Sequence, residues 1–165
     1  MSALTLTPAR LLAVGAVLPL AAVGTARVTQ HVFGMQPCAW CVLQRLIFVT
    51  IALTALLGLV GLQLRLLIVS RTAAALMALL ALGGVAAALW QHFVAAASVS
   101  CNLTLADRIV SAVGVDALWP GVFAAYASCA DAAAKLLGVS YEFYSLTLFV
   151  GLTALATLLL SRRRG

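Results

Sequence analysis

The chain has 165 residues, of which 65% are hydrophobic and 8% charged, with a mean hydropathy of +1.17. Soluble chains are about 45–50% apolar and about 25% charged, and a chain this short has too much surface for its volume to hide the excess, so lipid must solvate most of it. The formal net charge of +6 does not point to nucleic acid, because the basic residues stand singly or at the C-terminus, where membrane topology accounts for them.

A helix needs roughly 17–25 apolar residues to cross a hydrocarbon core. Residues 11–26 are uncharged but short, and rely on Arg10 and Arg27 snorkelling at their ends. A cleaved signal peptide is the competing reading, since Gly24-Thr25-Ala26 offers small residues. Against it, only Arg10 precedes the apolar run, which exceeds the usual signal core of about 7–15 residues. After a first loop, 29–41, comes the uncharged stretch 46–64. A tight turn with Arg65 and Arg71 leads to the stretch 72–90. A long second loop, 93–142, holds Asp107, Asp116, Asp131 and Glu142, every acid of the chain. The last stretch, 143–160, ends at Arg162-Arg163-Arg164. With their flanks, the spans are placed at 10–28, 42–64, 72–92 and 143–160. The expected fold is an all-α integral membrane bundle of four transmembrane helices forming a single domain.

Alternating spans put Arg10, Arg65, Arg71 and the three terminal arginines on one side. Arg27, Arg45, Arg108, Lys135 and all the acids lie on the other. Basic residues favour the cytoplasm, so both termini are expected inside, and both loops and all four cysteines outside. There thiols are oxidised and disulfides persist. Of the three pairings open to four cysteines, pairing within each loop is the simplest: Cys38 with Cys41, and Cys101 with Cys129.

Cys38 and Cys41 form a Cys-X-X-Cys just after Pro37, which suits a first helical turn. The unpaired N–H groups and positive dipole end of such a helix stabilise a thiolate, the reactive form in disulfide exchange. A loop-pinning disulfide or half a zinc site would explain the pair more plainly. However, a structural zinc wants four ligands, and Cys101 and Cys129 stand isolated. Helix-terminal placement and compartment favour redox chemistry. Arg45 follows Cys41 by four residues on the same helical face. A guanidinium entering apolar surroundings costs about 2.5–3.5 kcal/mol on the lenient insertion scale. It therefore needs an acceptor beside it, the Cys41 thiolate or a quinone carbonyl, unless it snorkels to headgroups.

The second loop is too long for a plain connector. A Cys101–Cys129 disulfide there is either a staple or, beside an exchangeable pair, a relay to a soluble partner. Leu105, Ile109, Val110 and Val113 recur at helical spacing and Trp119 follows, which suggests a short helix on the membrane surface. His31 and His92, near the outer ends of spans one and three, could hold a haem between helices, but isolated histidines near an interface more often simply hydrogen-bond there, and the chain has neither a second histidine pair nor a Cys-X-X-Cys-His run; a quinone-headgroup contact for His92 is the alternative.

Gln30-His31, Pro37-Cys38-X-X-Cys41-X-X-Gln44-Arg45, Trp90-Gln91-His92, Cys101 and Ser128-Cys129-Ala130 together resemble the disulfide bond formation protein B (DsbB) family. The resemblance implies a quinone-dependent protein-disulfide oxidoreductase of the bacterial inner membrane that supports periplasmic protein folding. Its implied catalytic residues are Cys38, Cys41, Cys101 and Cys129. Cys101 would take electrons from a soluble periplasmic thioredoxin-fold oxidase, with Cys129 as its pair. Exchange with Cys38 would follow, leaving Cys41 beside ubiquinone or menaquinone from the membrane pool. Arg45 and His92 are the further quinone-contact candidates. A vitamin K epoxide reductase-like enzyme fits less well, because its active pair opens a late span. A bundle with purely structural disulfides is the non-enzymatic alternative.

Overall fold

The computed structural model describes residues 7–97, 104–128, 130, 135–136 and 138–161. Cys101 and Cys129 lie outside the described residues, as do the three terminal arginines. Four long apolar helices carry the fold: α1 (Pro8–Val32), α2 (Ala39–Gln63), α3 (Leu67–Phe93) and α7 (Tyr141–Ser161). Lipid offers no partner to backbone N–H and C=O groups, so segments of this composition close their hydrogen bonds internally as helices.

Each helix starts or stops for a local reason. Thr7 caps α1, its Oγ1 accepting from Arg10 N at 3.3 Å, and Pro8 occupies the first turn. The helix runs on through Arg27, whose guanidinium donates to the Gly121 carbonyl rather than snorkelling to lipid. Between α2 and α3, Leu66 N donates to Gly61 O at 2.8 Å and Arg65 N to Leu62 O at 3.2 Å. This is a Schellman closure, with Arg65 at φ 57° in the left-handed position that glycine usually takes. The helices extend several residues past their uncharged stretches, because a terminal arginine does not break a helix.

α1, α2, α3 and α7 pack in ring order, with the α1–α7 seam much the thinnest of the four. Their core holds Leu12, Ile51, Met77, Phe149 and Leu152. Phe149 stacks on Phe48 with ring centroids 4.1 Å apart and planes 8° apart, and Gly84 leaves room for the Phe149 ring.

The second loop packs across the α2 start. It contains α4 (Leu105–Val113), α5 (Val115–Leu118), α6 (Pro120–Phe123) and a small antiparallel pair, β1 (Lys135–Leu136) with β2 (Val139–Ser140), which has no counterpart in the sequence expectation. The expected surface helix exists as α4. A Thr104–Asp107 capping box starts it, and Gly114 at φ 75° ends it. Of the expected apolar stripe only Val110 is buried; it packs with Ala106 against the beginning of α2. Leu105, Ile109 and Val113 face outward, as do Leu118 and Trp119.

Candidate functional site

Cys38 is the residue preceding α2, with extended backbone (φ −87°, ψ 171°), and its carbonyl accepts from Val42 N at 3.0 Å. Cys41 lies one turn further on. Their sulfurs are 3.1 Å apart, a thiol–thiol contact rather than a bond of about 2.0 Å. The pair lies at a helix N-terminus, where the sequence placed it.

The two sulfurs face different surroundings. Cys38 is fully buried among Trp40, Val42, Ala106, Val110 and Phe123, beneath the second loop. Cys41 lines a cavity of about 230 Å³ bounded by α1, α2, the end of α3 and the start of α7. A larger groove of about 1120 Å³, between α2, α3 and α4, is reached by neither sulfur.

A buried amide chain ends on Cys41. Gln44 Nε2 donates to Gln91 Oε1 at 2.7 Å, and Gln91 Nε2 donates to Cys41 Sγ at 3.2 Å. Such amides in an apolar helix must find partners, and these two find each other across the α2–α3 seam. Arg45 is buried and close enough to Cys41 to interact electrostatically. Its hydrogen bonds go to neutral oxygens: Gln30 Oε1 at 3.0 Å, Val122 O at 3.0 Å and Ala26 O at 3.4 Å. The acceptor that Arg45 required is thus largely supplied by the protein.

Arg27 and Arg45 together hold two successive carbonyls of α6, Gly121 and Val122. Pro37 O accepts from Tyr126 N at 2.9 Å and from Ala127 N at 3.3 Å. The chain leading to Cys129 is therefore tethered to the residue just before Cys38. His31 is exposed on α1. His92 does not line the cavity; its Nδ1 lies 2.7 Å from Oε1 of Glu142, which does.

The cavity walls are mainly apolar, among them Ala22, Ala26, Phe48 and Leu148. Arg45, Gln44, Gln91 and Tyr141 supply polar groups, and Cys41 supplies a sulfur. Arg45 makes three hydrogen bonds, while a guanidinium carries five donors. Arg45, Gln44, Gln91 and Tyr141 are thus placed to hold polar atoms of a ligand in this cavity. Gln30, Gln44 and Gln91 had entered the sequence reading only as parts of a family pattern, and Glu142 only as a loop charge. Each gave the same overlooked signal, a polar side chain in or against an apolar run, which lipid will not satisfy.

A four-helix membrane bundle with a Cys-X-X-Cys between a packed loop and an internal cavity is the architecture of a membrane thiol–disulfide protein. The family profile described as "Disulfide bond formation protein DsbB" matches residues 8–159, and the chain belongs to that family. It is similar to the "Disulfide bond formation protein B" of Dechloromonas aromatica (strain RCB), with 34% identity over 149 residues, 88% of this chain and 87% of the relative. It is 35% identical over 140 residues to the protein of that name from Aromatoleum aromaticum, covering 82% of each chain. It is 33% identical over 159 residues to "Disulfide bond formation protein B 1" of Pseudomonas entomophila, covering 94% and 93%. The chain is a multi-pass bacterial membrane protein of disulfide bond formation, and its family supports a disulfide oxidoreductase role.

Proposed function

We propose that the chain reoxidises a soluble periplasmic thioredoxin-fold oxidase and passes the electrons to membrane quinone, ubiquinone or menaquinone, in the bacterial inner membrane. The order is Cys101/Cys129 first, then Cys38/Cys41. The observation that carries this reading is the division of the first pair: Cys38 lies under the second loop and Cys41 opens onto the cavity. A sulfur facing the loop is placed to exchange with a loop cysteine, and a sulfur facing an apolar cavity is placed to meet a lipid-soluble acceptor.

Each exchange is thiolate attack on a disulfide through a mixed disulfide. The partner's thiolate attacks the Cys101–Cys129 bond, and the partner leaves oxidised while the loop pair becomes a dithiol. A loop thiolate then attacks the Cys38–Cys41 bond at Cys38. Closing the loop disulfide again leaves Cys38 and Cys41 as a dithiol. The Tyr126 and Ala127 hydrogen bonds to Pro37 support this route, because they tie the chain next to Cys129 to the first pair. A quinone held in the cavity would supply the two-electron acceptor. Arg45, Gln44 and Gln91 would hold its oxygens, while the apolar walls exclude water.

The test is quinone reduction by purified protein supplied with a reduced thioredoxin-fold dithiol. Wild type is expected to produce quinol, and Cys38→Ser or Cys41→Ser to abolish it. Cys101→Ser is expected to abolish turnover with the protein dithiol while a small dithiol still reduces the Cys38–Cys41 disulfide. Absence of quinone reduction with any dithiol would overturn the proposal. Labelling of Cys38 and Cys41 by an impermeant thiol reagent from the cytoplasmic side alone would overturn the orientation.

A further inference from the structure

Among the described residues Glu142 is the one acid lining the cavity, and the exchange chemistry does not use it. It sits in the first turn of α7 with a side chain only 7% exposed, 2.7 Å from Nδ1 of a His92 that is 32% exposed. A carboxyl buried at the edge of an apolar bundle is costly unless it has work or a partner. The contact with His92 gives it a partner, but does not require it to border the cavity. The pair forms a two-residue bridge from the bundle surface at the cysteine end to the cavity.

We propose that Glu142 and His92 form a proton path that delivers one proton from the surrounding solution to the acceptor bound in the Cys41 cavity. This rests on the quinone reading above. Oxidation of the Cys38–Cys41 dithiol releases two electrons and two protons, and conversion of a quinone to a quinol consumes two of each. One thiol proton leaves to solution, and the other would pass to one acceptor oxygen. The second acceptor oxygen would take its proton from the Glu142 carboxyl. His92 then returns a proton from Nδ1 to Oε1 and recovers one from water at Nε2, so the totals balance. The other titratable or charged groups around the cavity are Cys41 and Arg45 on α2 and Tyr141 and Tyr144 on α7. α1 contributes only Thr25 and Thr29 there as polar side chains. Among the described residues Glu142 is therefore the only carboxyl positioned for this transfer.

The test uses the full chain in lipid bilayers with a short-chain quinone, comparing wild type, Glu142→Gln, Glu142→Asp and His92→Gln. Glutamine keeps an acceptor for His92 but carries no exchangeable acid. In Glu142→Gln, turnover should fall about 100-fold, the lower end of general-acid effects, while quinone affinity measured by tryptophan fluorescence stays within about twofold. Glu142→Asp should recover at least about tenfold of that loss, since the acid returns on a shorter arm. Infrared difference spectra between oxidised and reduced protein should show a carboxyl band that shifts in deuterium oxide and is missing from Glu142→Gln. If Glu142→Gln does not fold, His92→Gln decides the matter: its turnover should slow and its solvent isotope effect should rise above that of wild type. Wild-type turnover in Glu142→Gln, or in His92→Gln where that variant decides, or a spectrum without the carboxyl band, would overturn the proton path alone. Failure of wild type to reduce quinone would overturn the underlying function as well.

Discussion

Replacing Arg45 with methionine separates what its charge does for the bundle from what the proposed function asks of it toward quinone. Methionine is of similar length and apolar, so packing is largely kept. Of the three oxygens Arg45 holds, Ala26 O lies inside α1 and keeps its helical partner. Gln30 Oε1 and Val122 O are left without the donor they had. Two orphaned acceptors at about 1–3 kcal/mol each cost roughly 2–6 kcal/mol. Removing a guanidinium from apolar surroundings returns about 2.5–3.5 kcal/mol. The two nearly offset, so the unfolding free energy in mixed detergent micelles should change by no more than about 3 kcal/mol. A charged donor lost from the acceptor site removes about 1.5–3 kcal/mol, so kcat/KM for quinone should fall roughly 10- to 150-fold. Arg45→Lys keeps the charge without the fork and should fall between the two. Unchanged kcat/KM in Arg45→Met would refute this assignment. So would a loss of activity fully matched by a loss of folded protein.

Gln91→Leu should destabilise the bundle by about 1–3 kcal/mol, because buried Gln44 loses its acceptor; the double variant Gln44→Leu/Gln91→Leu should be less destabilised than the single one, as read by unfolding midpoints. Gly84→Ala drives a methyl into the buried Phe149 ring, and overpacking of about 1–3 kcal/mol should exceed the helix-propensity gain of about 1 kcal/mol. Gly151→Ala, with open space around its Cα, should be neutral or stabilising in the same assay. The Ser111 hydroxyl donates to Asp116 Oδ2 at 2.7 Å and holds that carboxyl below the usual carboxylate range. Ser111→Ala should therefore raise the Asp116 midpoint in a carboxyl NMR titration. The stabilisation it removes exists above the ordinary carboxylate value and fades as pH falls through the depressed one, so wild type and variant should converge in acid.

The four spans were legible because lipid tolerates few charges and leaves long apolar runs in the sequence. Their ends were less legible. Reading each core only up to its nearest arginine cut α3 at Thr72, whereas the helix begins at Leu67 and carries Arg71 in its first turns. The Cys-X-X-Cys at the head of α2 was readable from Pro37 and spacing alone. The closure of the second loop was not. Arg27 with Gly121, Arg45 with Val122 and Tyr126 with Pro37 join residues 77–94 positions apart, through backbone carbonyls that every residue type carries. Glu142 was visible as an acid abutting an apolar run, but its turn inward depends on His92 of another helix.

The thin seam between α1 and α7 has a consequence for how the site is supplied. The cavity wall on that side is built from Ala22–Thr29 of one helix and Tyr141–Leu148 of the other, with little packing to seal them. On the proposed function, a quinone would enter sideways through this seam from the hydrocarbon without crossing water. Its effective concentration is then counted per lipid, not per litre. Adding empty phospholipid at constant aqueous volume should dilute the acceptor and slow the reaction, although nothing in the surrounding buffer has changed.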